Sequence, residues 1–216
     1  MSVTIFVLGR PGSGKTTAVR HILELAERRN YKTKRMKDYD ILYKMFQQDT
    51  HEQYFRATNY GGFDILDGSV YDVALQRLEK NVQEISLEEK YDIITIEFAR
   101  DNYQETFRKL SSSFLEDSYF FFVEADLDTC MQRIYQRVTV PPTPDHHFVS
   151  EYIMRSYYNN DNWKYMSEEF QKEYQLQKEV VAYYNTGSLQ GLIDKVSEFA
   201  ETIFIREFVA LISAPE

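Results

Sequence analysis

Apolar and polar positions along the chain switch repeatedly between two periods. Five short runs carry no helical spacing and read as strands: "SVTIFVL" (2–8), the more polar "YKTKRMK" (31–37), "YDIITIE" (91–97), "SYFFFVEA" (118–125) and "EVVAYYNTG" (179–187). Between them, apolar residues recur every three to four positions, as amphipathic helices require. Val19, Ile22, Leu23 and Ala26 mark a helix over 16–29, and Val70, Ala74, Leu78 and Val82 mark another. Further helices are expected over 38–48 with Asp38 as cap, over 102–114, and over a segment carrying Cys130, Arg133 and Arg137 capped by Asp126 or Asp128. Long helical regions are predicted over 149–177 and 189–211, the latter with Leu192, Val196, Phe199, Ile203 and Leu211 on its apolar side. Strands alternating with helices predict an α/β fold with a parallel sheet covered on both faces. The pattern shows no repeat and no domain boundary. It shows two irregular segments expected to be mobile, 38–68 and 138–155. The first contains "NYGGFDILDG", and the second contains "VPPTPDHH" with three of the five prolines.

Bulk composition narrows the function. A length of 216 residues suits one domain, and 43% apolar with 27% charged residues suits a folded core. No apolar run reaches the roughly 20 residues of a membrane span, and the first run lacks a secretory pattern, so a cytoplasmic protein without membrane contact is expected. A net charge of −9 without a basic block repels a long polyanion, so nucleic acid is not an expected partner, whereas a small anion in a local basic cleft is compatible. The lone Cys130 excludes an internal disulfide and reads as a small buried hydrophobe. A homodimer is left open.

The chemistry concentrates after the first strand. "GRPGSGKTT" (9–17) matches G-x-x-x-x-G-K-[ST] without mismatch, between a buried strand and a helix. Glycine permits backbone conformations in which consecutive N–H groups turn inward around an anion, and the helix N-terminus adds partial positive charge. Gly9, Gly12, Ser13, Gly14, Lys15, Thr16 and Thr17 are thus expected to hold the phosphates of ATP, with Lys15 on the β- and γ-phosphates and Thr16 on Mg²⁺. The G-x-G-x-x-G order of a dinucleotide fold is absent, and so is the N-K-x-D of a guanine site.

Glu97 ends a buried strand. It is expected to hold a metal-bound water or to accept a proton. Arg133 and Arg137, four apart on one helix, are expected to stabilise charge on a transferring phosphoryl group. In the 51–67 region, Arg56 and several aromatics (Tyr54, Phe55, Tyr60, Phe63) either bind an acceptor or pack beneath a long loop; Asp64 and Asp67 lie with them. Arg155 is a further candidate phosphate contact. The adjacent His146 and His147 lack the spacing of a zinc site.

In layout, nearly the whole chain resembles the adenylate-kinase-like branch of P-loop proteins, the nucleotide and nucleoside kinases. The features that carry the resemblance are "GRPGSGKTT" after the first strand, the acidic strand end "IEFAR", "RIYQR" before a loop, and a late strand running into "NTGSL". The resemblance implies a three-layer αβα sandwich with a parallel five-stranded sheet, a helical lid at 138–155 and an acceptor-binding region at 38–68. It implies Asn185, Thr186 and Gly187 beside the adenine, and acceptor-phosphate binding by Arg100. The family's D-G-x-P-R, D-R-Y and E-R-S runs are replaced here by E-F-A-R, so the acceptor is not assigned by motif. Mg-assisted transfer from ATP to a small-molecule acceptor, a nucleoside, nucleotide or related metabolite, is the expected activity. The competing expectation is a P-loop protein that binds and hydrolyses ATP in a regulatory role.

Overall fold

The computed structural model describes residues 2–138, 145 and 148–209. Five strands form one parallel sheet: β1 (Val3–Leu8), β2 (Thr33–Lys37), β5 (Ile93–Phe98), β6 (Ser118–Glu124) and β7 (Val180–Tyr184), in the order β2-β5-β1-β6-β7. A short antiparallel hairpin, β3 (Phe55–Ala57) with β4 (Phe63–Ile65), stands apart.

Period-2 alternation divides the sheet's side chains between two cores. Phe6, Leu8, Ile94, Ile96, Phe98, Phe120 and Phe122 face one side, where α3 (Ser69–Leu87), α4 (Tyr103–Phe107) and α8 (Phe170–Glu173) pack. Val3, Ile5, Val7, Ile93, Tyr119, Phe121 and Val123 face the other, covered by α1 (Lys15–Glu27) and α9 (Leu189–Phe204). Burial on both faces explains why β1, β5 and β6 read as continuous apolar runs. Cys130 lies fully buried on α6 (Leu127–Gln136), and burial pushes its thiol up to about 12, in keeping with a packing role.

Several expectations are corrected. The helix expected over 102–114 is two: α4, capped by the Asn102 side chain, and α5 (Ser112–Glu116). The region 149–177 is not one helix but α7 (Glu151–Ser156), a π-helical turn at Tyr165–Glu169, and α8. The break falls where Asn160 and Asn162 bind Asp101 and the backbone N–H of Tyr103 instead of continuing a helix. Lys37, not Asp38, precedes α2 (Asp38–Gln48), and Asp38 is taken by another partner described below. Asp126 is the cap of α6, and Arg137 follows that helix as its C-cap. Of the segment expected to form a lid, 139–144, 146 and 147 lie outside the described residues, including the prolines, His146 and His147; Leu211 lies outside them too. Among the described residues, no helix is long and apolar enough to cross a membrane.

Candidate phosphate-transfer site

The loop after β1 is fixed by sterics. Gly9 and Gly12 have φ of 138° and 83°, and a Cβ built on them would meet the Val123 carbonyl oxygen at 2.0 Å and the Cys130 carbonyl oxygen at 2.4 Å. Only glycine fits. Side chains from distant elements then pin the loop. Tyr103 Oη accepts from the Gly9 N–H at 2.7 Å. Arg10 is held by the carboxylate of buried Glu124, at 2.8 and 3.1 Å. The Asn185 amide donates to the Ser13 carbonyl at 2.7 Å.

A cavity of about 410 Å³ opens at the C-terminal ends of β1, β2 and β5, where doubly wound sheets bind ligands. At one end stand Gly12, Gly14, Lys15, Thr16, Thr17, Arg133 and Arg137. Lys15 donates to the Arg10 carbonyl at 2.9 Å. Burial pulls its ammonium down to about 8, with Glu97 opposing and Arg137 adding to the fall. Thr16 Oγ1 donates to Glu97 Oε1 at 2.8 Å, while Glu97 Oε2 accepts from Arg35 at 2.5 and 3.2 Å. Thr16 and Glu97 thus offer adjacent hard oxygens. Such a pair fits Mg²⁺, which takes one or two protein oxygens and completes its shell with water and phosphate. Among the described residues, no group of three or more His, Cys, Asp or Glu could hold a metal.

Arg133 donates to the carbonyls of Ser13 and Asn185, at 3.4 and 3.1 Å. Arg137 lines the cavity with its Nε buried and unpartnered among the described residues, and burial lowers the guanidinium.

The other end is built from side chains. Tyr39, Leu42, Phe63, Ile65, Tyr71 and Tyr158 line it, and Phe63 stacks on Tyr39 and Phe46 at centroid distances of 5.6 and 5.0 Å. Beneath them Asp38 Oδ2 accepts from Arg100, which also donates to the carbonyls of Ala99 and Tyr71 at 2.7 and 3.1 Å and lies 4.8 Å over the Tyr71 ring. Both members of the pair are buried. Burial pushes the Asp38 carboxyl up, against the pull of Arg100 and Lys15.

Of the residues expected from sequence, Lys15, Thr16, Thr17, Gly12, Gly14, Glu97, Arg133 and Arg137 share this cavity. Gly9, Ser13 and Asn185 stand behind it and shape the loop, and Gly187 is exposed in open space. Three expected acceptor contacts stand elsewhere. Arg56 is exposed and pairs with Asp64 across the hairpin. Asp67 is exposed and accepts from the Ser69 N–H at the start of α3. Arg155 is exposed and pairs with Glu151 and Asp128. Arg100 lies behind the wall, locked to Asp38. Arg20, Arg35, Lys37, Asp38, Tyr71, Asp145 and Tyr158 line the cavity although no motif marks them. The strand "TKRMK" holds the one signal for them: Arg35 and Lys37 are two apart, so they share one face beside Thr95 and Glu97 on β5.

No protein-family profile and no curated protein sequence matches the chain. Among solved structures, it is similar to the APS kinase of Mycobacterium tuberculosis in complex with AMPPNP and APS, with a TM-score of 0.55, 11% identity, and 93% of this chain and 98% of that one covered. It is also similar to a tunicamycin resistance protein of Deinococcus radiodurans, with a TM-score of 0.55, 14% identity, and 94% and 96% covered. A sugar kinase from Janibacter is similar with a TM-score of 0.52, 13% identity, and 93% and 95% covered. The chain shares the fold of these structures, an αβα sandwich on a five-stranded parallel sheet with a phosphate loop after its first strand.

Proposed function

We propose that the protein transfers a phosphoryl group from ATP to a hydroxyl or phosphate of a small-molecule acceptor. One observation carries this reading. A single cavity has the phosphate loop with Lys15 and Glu97 at one end, and at the other an aromatic chamber over a buried carboxylate. Such a chamber suits a second ligand beside ATP, which favours transfer over binding or hydrolysis alone. The recurrence of kinases among structures of like fold supports the same reading by analogy of fold.

The residues divide the work by position. Backbone N–H groups of the loop and the Lys15 ammonium bind the donor phosphates. Arg133 and Arg137 line the cavity beside the phosphate loop and are assigned to the charge that develops on the transferring group; Arg137 carries an N–H with no other use among the described residues. Thr16 and Glu97 would hold Mg²⁺, which when bound neutralises phosphate charge and aligns the donor. Both Glu97 oxygens are engaged, whereas only Oδ2 of Asp38 is bonded among the described residues. Asp38, with its carboxyl raised by burial, is therefore the better proton acceptor for an acceptor hydroxyl at the aromatic end. Arg100 keeps that carboxylate in place as a positioning residue. The rings at that end suit a flat or partly apolar acceptor, a nucleoside, nucleotide or related metabolite. They also keep bulk water from the phosphates, which limits hydrolysis.

The test is ADP production with Mg²⁺ and ATP across a panel of nucleosides, nucleotides, sugars and cofactor precursors, with the phosphorylated product identified by mass. The expected outcome is one chemical class that raises turnover well above the acceptor-free rate. A panel in which no compound exceeds that rate overturns transfer and leaves ATP-dependent regulation as the function.

A further inference from the structure

We propose that Arg20, Arg35 and Lys37 form an oxyanion subsite for a phosphate carried by the acceptor, and that Asp145 is the chain's own occupant of it. The inference rests on the kinase reading and specifies its substrate.

Three cations from two elements converge on one carboxylate. Asp145 Oδ1 meets Arg35 Nη1 at 2.9 Å and Lys37 Nζ at 3.4 Å, and Oδ2 meets Arg20 Nη2 at 2.7 Å. Arg20 comes from α1, and Arg35 and Lys37 come from β2. All four residues line the same cavity as Lys15 and Glu97. Such convergence is how proteins hold oxyanions: charged donors from rigid elements around a shared point. Asp145 offers two oxygens to the three cations, and it shares Arg35 with Glu97 and Lys37 with Asp40. A phosphate monoester presents three terminal oxygens and about two negative charges, one oxygen for each donor.

Charge favours the exchange. Among the described residues, Lys15, Arg20, Arg35, Lys37, Arg133 and Arg137 line the cavity against only Glu97 and Asp145, once Asp38 is set against Arg100. Lys37 also meets Asp40, at 3.3 Å, but that carboxylate is half exposed and weakens the cluster little. A donor triphosphate with its metal neutralises part of this excess, and an anionic acceptor neutralises more. Asp145 remains a genuine competitor throughout the physiological range. Burial alone would push its carboxyl up, but the Arg20 hydrogen bond and the charges of Arg35, Lys37 and Arg20 outweigh burial and bring it down to about 2.

The exchange also reaches the donor end. Arg35 bridges Asp145 and Glu97, and Glu97 bonds Thr16. Replacing Asp145 by a phosphate therefore changes the partner of the arginine that holds the metal-side carboxylate. Asp145 thereby competes with the acceptor's phosphate for the same three cations.

The test uses inorganic phosphate as the probe. Its affinity for the full chain is measured by calorimetry with the phosphate loop saturated by Mg–AMPPNP. Asp145→Asn is expected to tighten phosphate at least tenfold, and Arg20→Gln to weaken it at least fivefold. Equal phosphate affinity in the unaltered chain and Asp145→Asn overturns the proposal, whatever Arg20→Gln does. Failure of the unaltered chain to bind Mg–AMPPNP breaks the kinase reading alone. The phosphate series on the nucleotide-free protein then still decides the subsite by the same criterion.

Discussion

At the phosphate end of the cavity the wall is backbone and fixed cations; at the acceptor end it is aromatic side chains over one buried ion pair. The phosphate end depends on glycines that no other residue can replace, because carbonyl oxygens of Val123 and Cys130 occupy the space of a Cβ. The acceptor end depends on packing, where many ring combinations fill a similar volume. A backbone-built site tolerates few sequences and so carries a motif. A side-chain-built site tolerates many and carries none. The same contrast separates common chemistry from individual specificity within one molecule.

The sharpest way to break the comparison is Lys15→Ala. Removing a preorganised cation from the phosphates is expected to cut transfer by about 10²–10³-fold, with the far-ultraviolet circular dichroism unchanged. An unaltered rate would mean that the phosphate end does not work through this cation. The pH dependence sharpens the point, because binding and stability should move in opposite directions. Lys15 loses its proton as pH rises through about 8, so Mg–AMPPNP affinity should fall above that pH. In the unfolded chain the lysine stays protonated up to its ordinary 10.5, so the unfolded state binds more protons between those two values. The stability of the nucleotide-free protein therefore gains from Lys15 as pH rises from about 8 to 10.5, and loses that gain as pH falls back. Lys15→Met should remove both trends.

At the acceptor end, the Asp38–Arg100 pair is open to a double substitution. Asp38→Ala leaves a buried guanidinium unpaired and is expected to cost about 3–5 kcal/mol in thermal or denaturant unfolding. Replacing both partners by apolar residues, Asp38→Leu with Arg100→Met, should recover most of that stability, since a buried ion pair gains little over good packing. Transfer should stay roughly a hundredfold down in the double variant if Asp38 is the proton acceptor we propose. Recovery of transfer together with stability would make the pair purely structural.

Legibility in the sequence follows the same division. The strands β1, β5 and β6 are readable because burial on both faces leaves them few polar positions before their ends. Glu97 is readable because it breaks such a run. The hairpin at 55–65 is not, since its strands are three residues each and are held partly by Asp49, whose carboxylate accepts from the N–H groups of Gln53, Tyr54 and Phe55. That is a local turn bond with no periodicity to reveal it. Arg35, Lys37 and Asp38 are present as a polar strand and a helix start, but the meeting of Arg35 and Lys37 with Asp145 spans more than a hundred residues. Arg56 and Asp67 show the converse: each has a local partner, Asp64 and the Ser69 N–H, which charge in an irregular segment does not reveal.

The finest prediction separates two glycines that both carry a nucleotide expectation. Gly12 has a φ of 83°, and a Cβ there would fall within 2.4–3.0 Å of Cys130 backbone atoms. Gly187 has nothing within 4 Å of its Cβ position and no positive φ. Gly12→Ala must move the loop or α6, and at least about 1–3 kcal/mol of strain is expected, read as lower melting temperature and weaker Mg–AMPPNP binding. Gly187→Ala should change stability by less than about 0.5 kcal/mol and leave nucleotide affinity where it was. A loss of affinity in Gly187→Ala with stability unchanged would place the backbone after β7 against the bound nucleotide. The wall of the phosphate end would then extend past Asn185, and the side-chain-built share of the cavity would shrink accordingly.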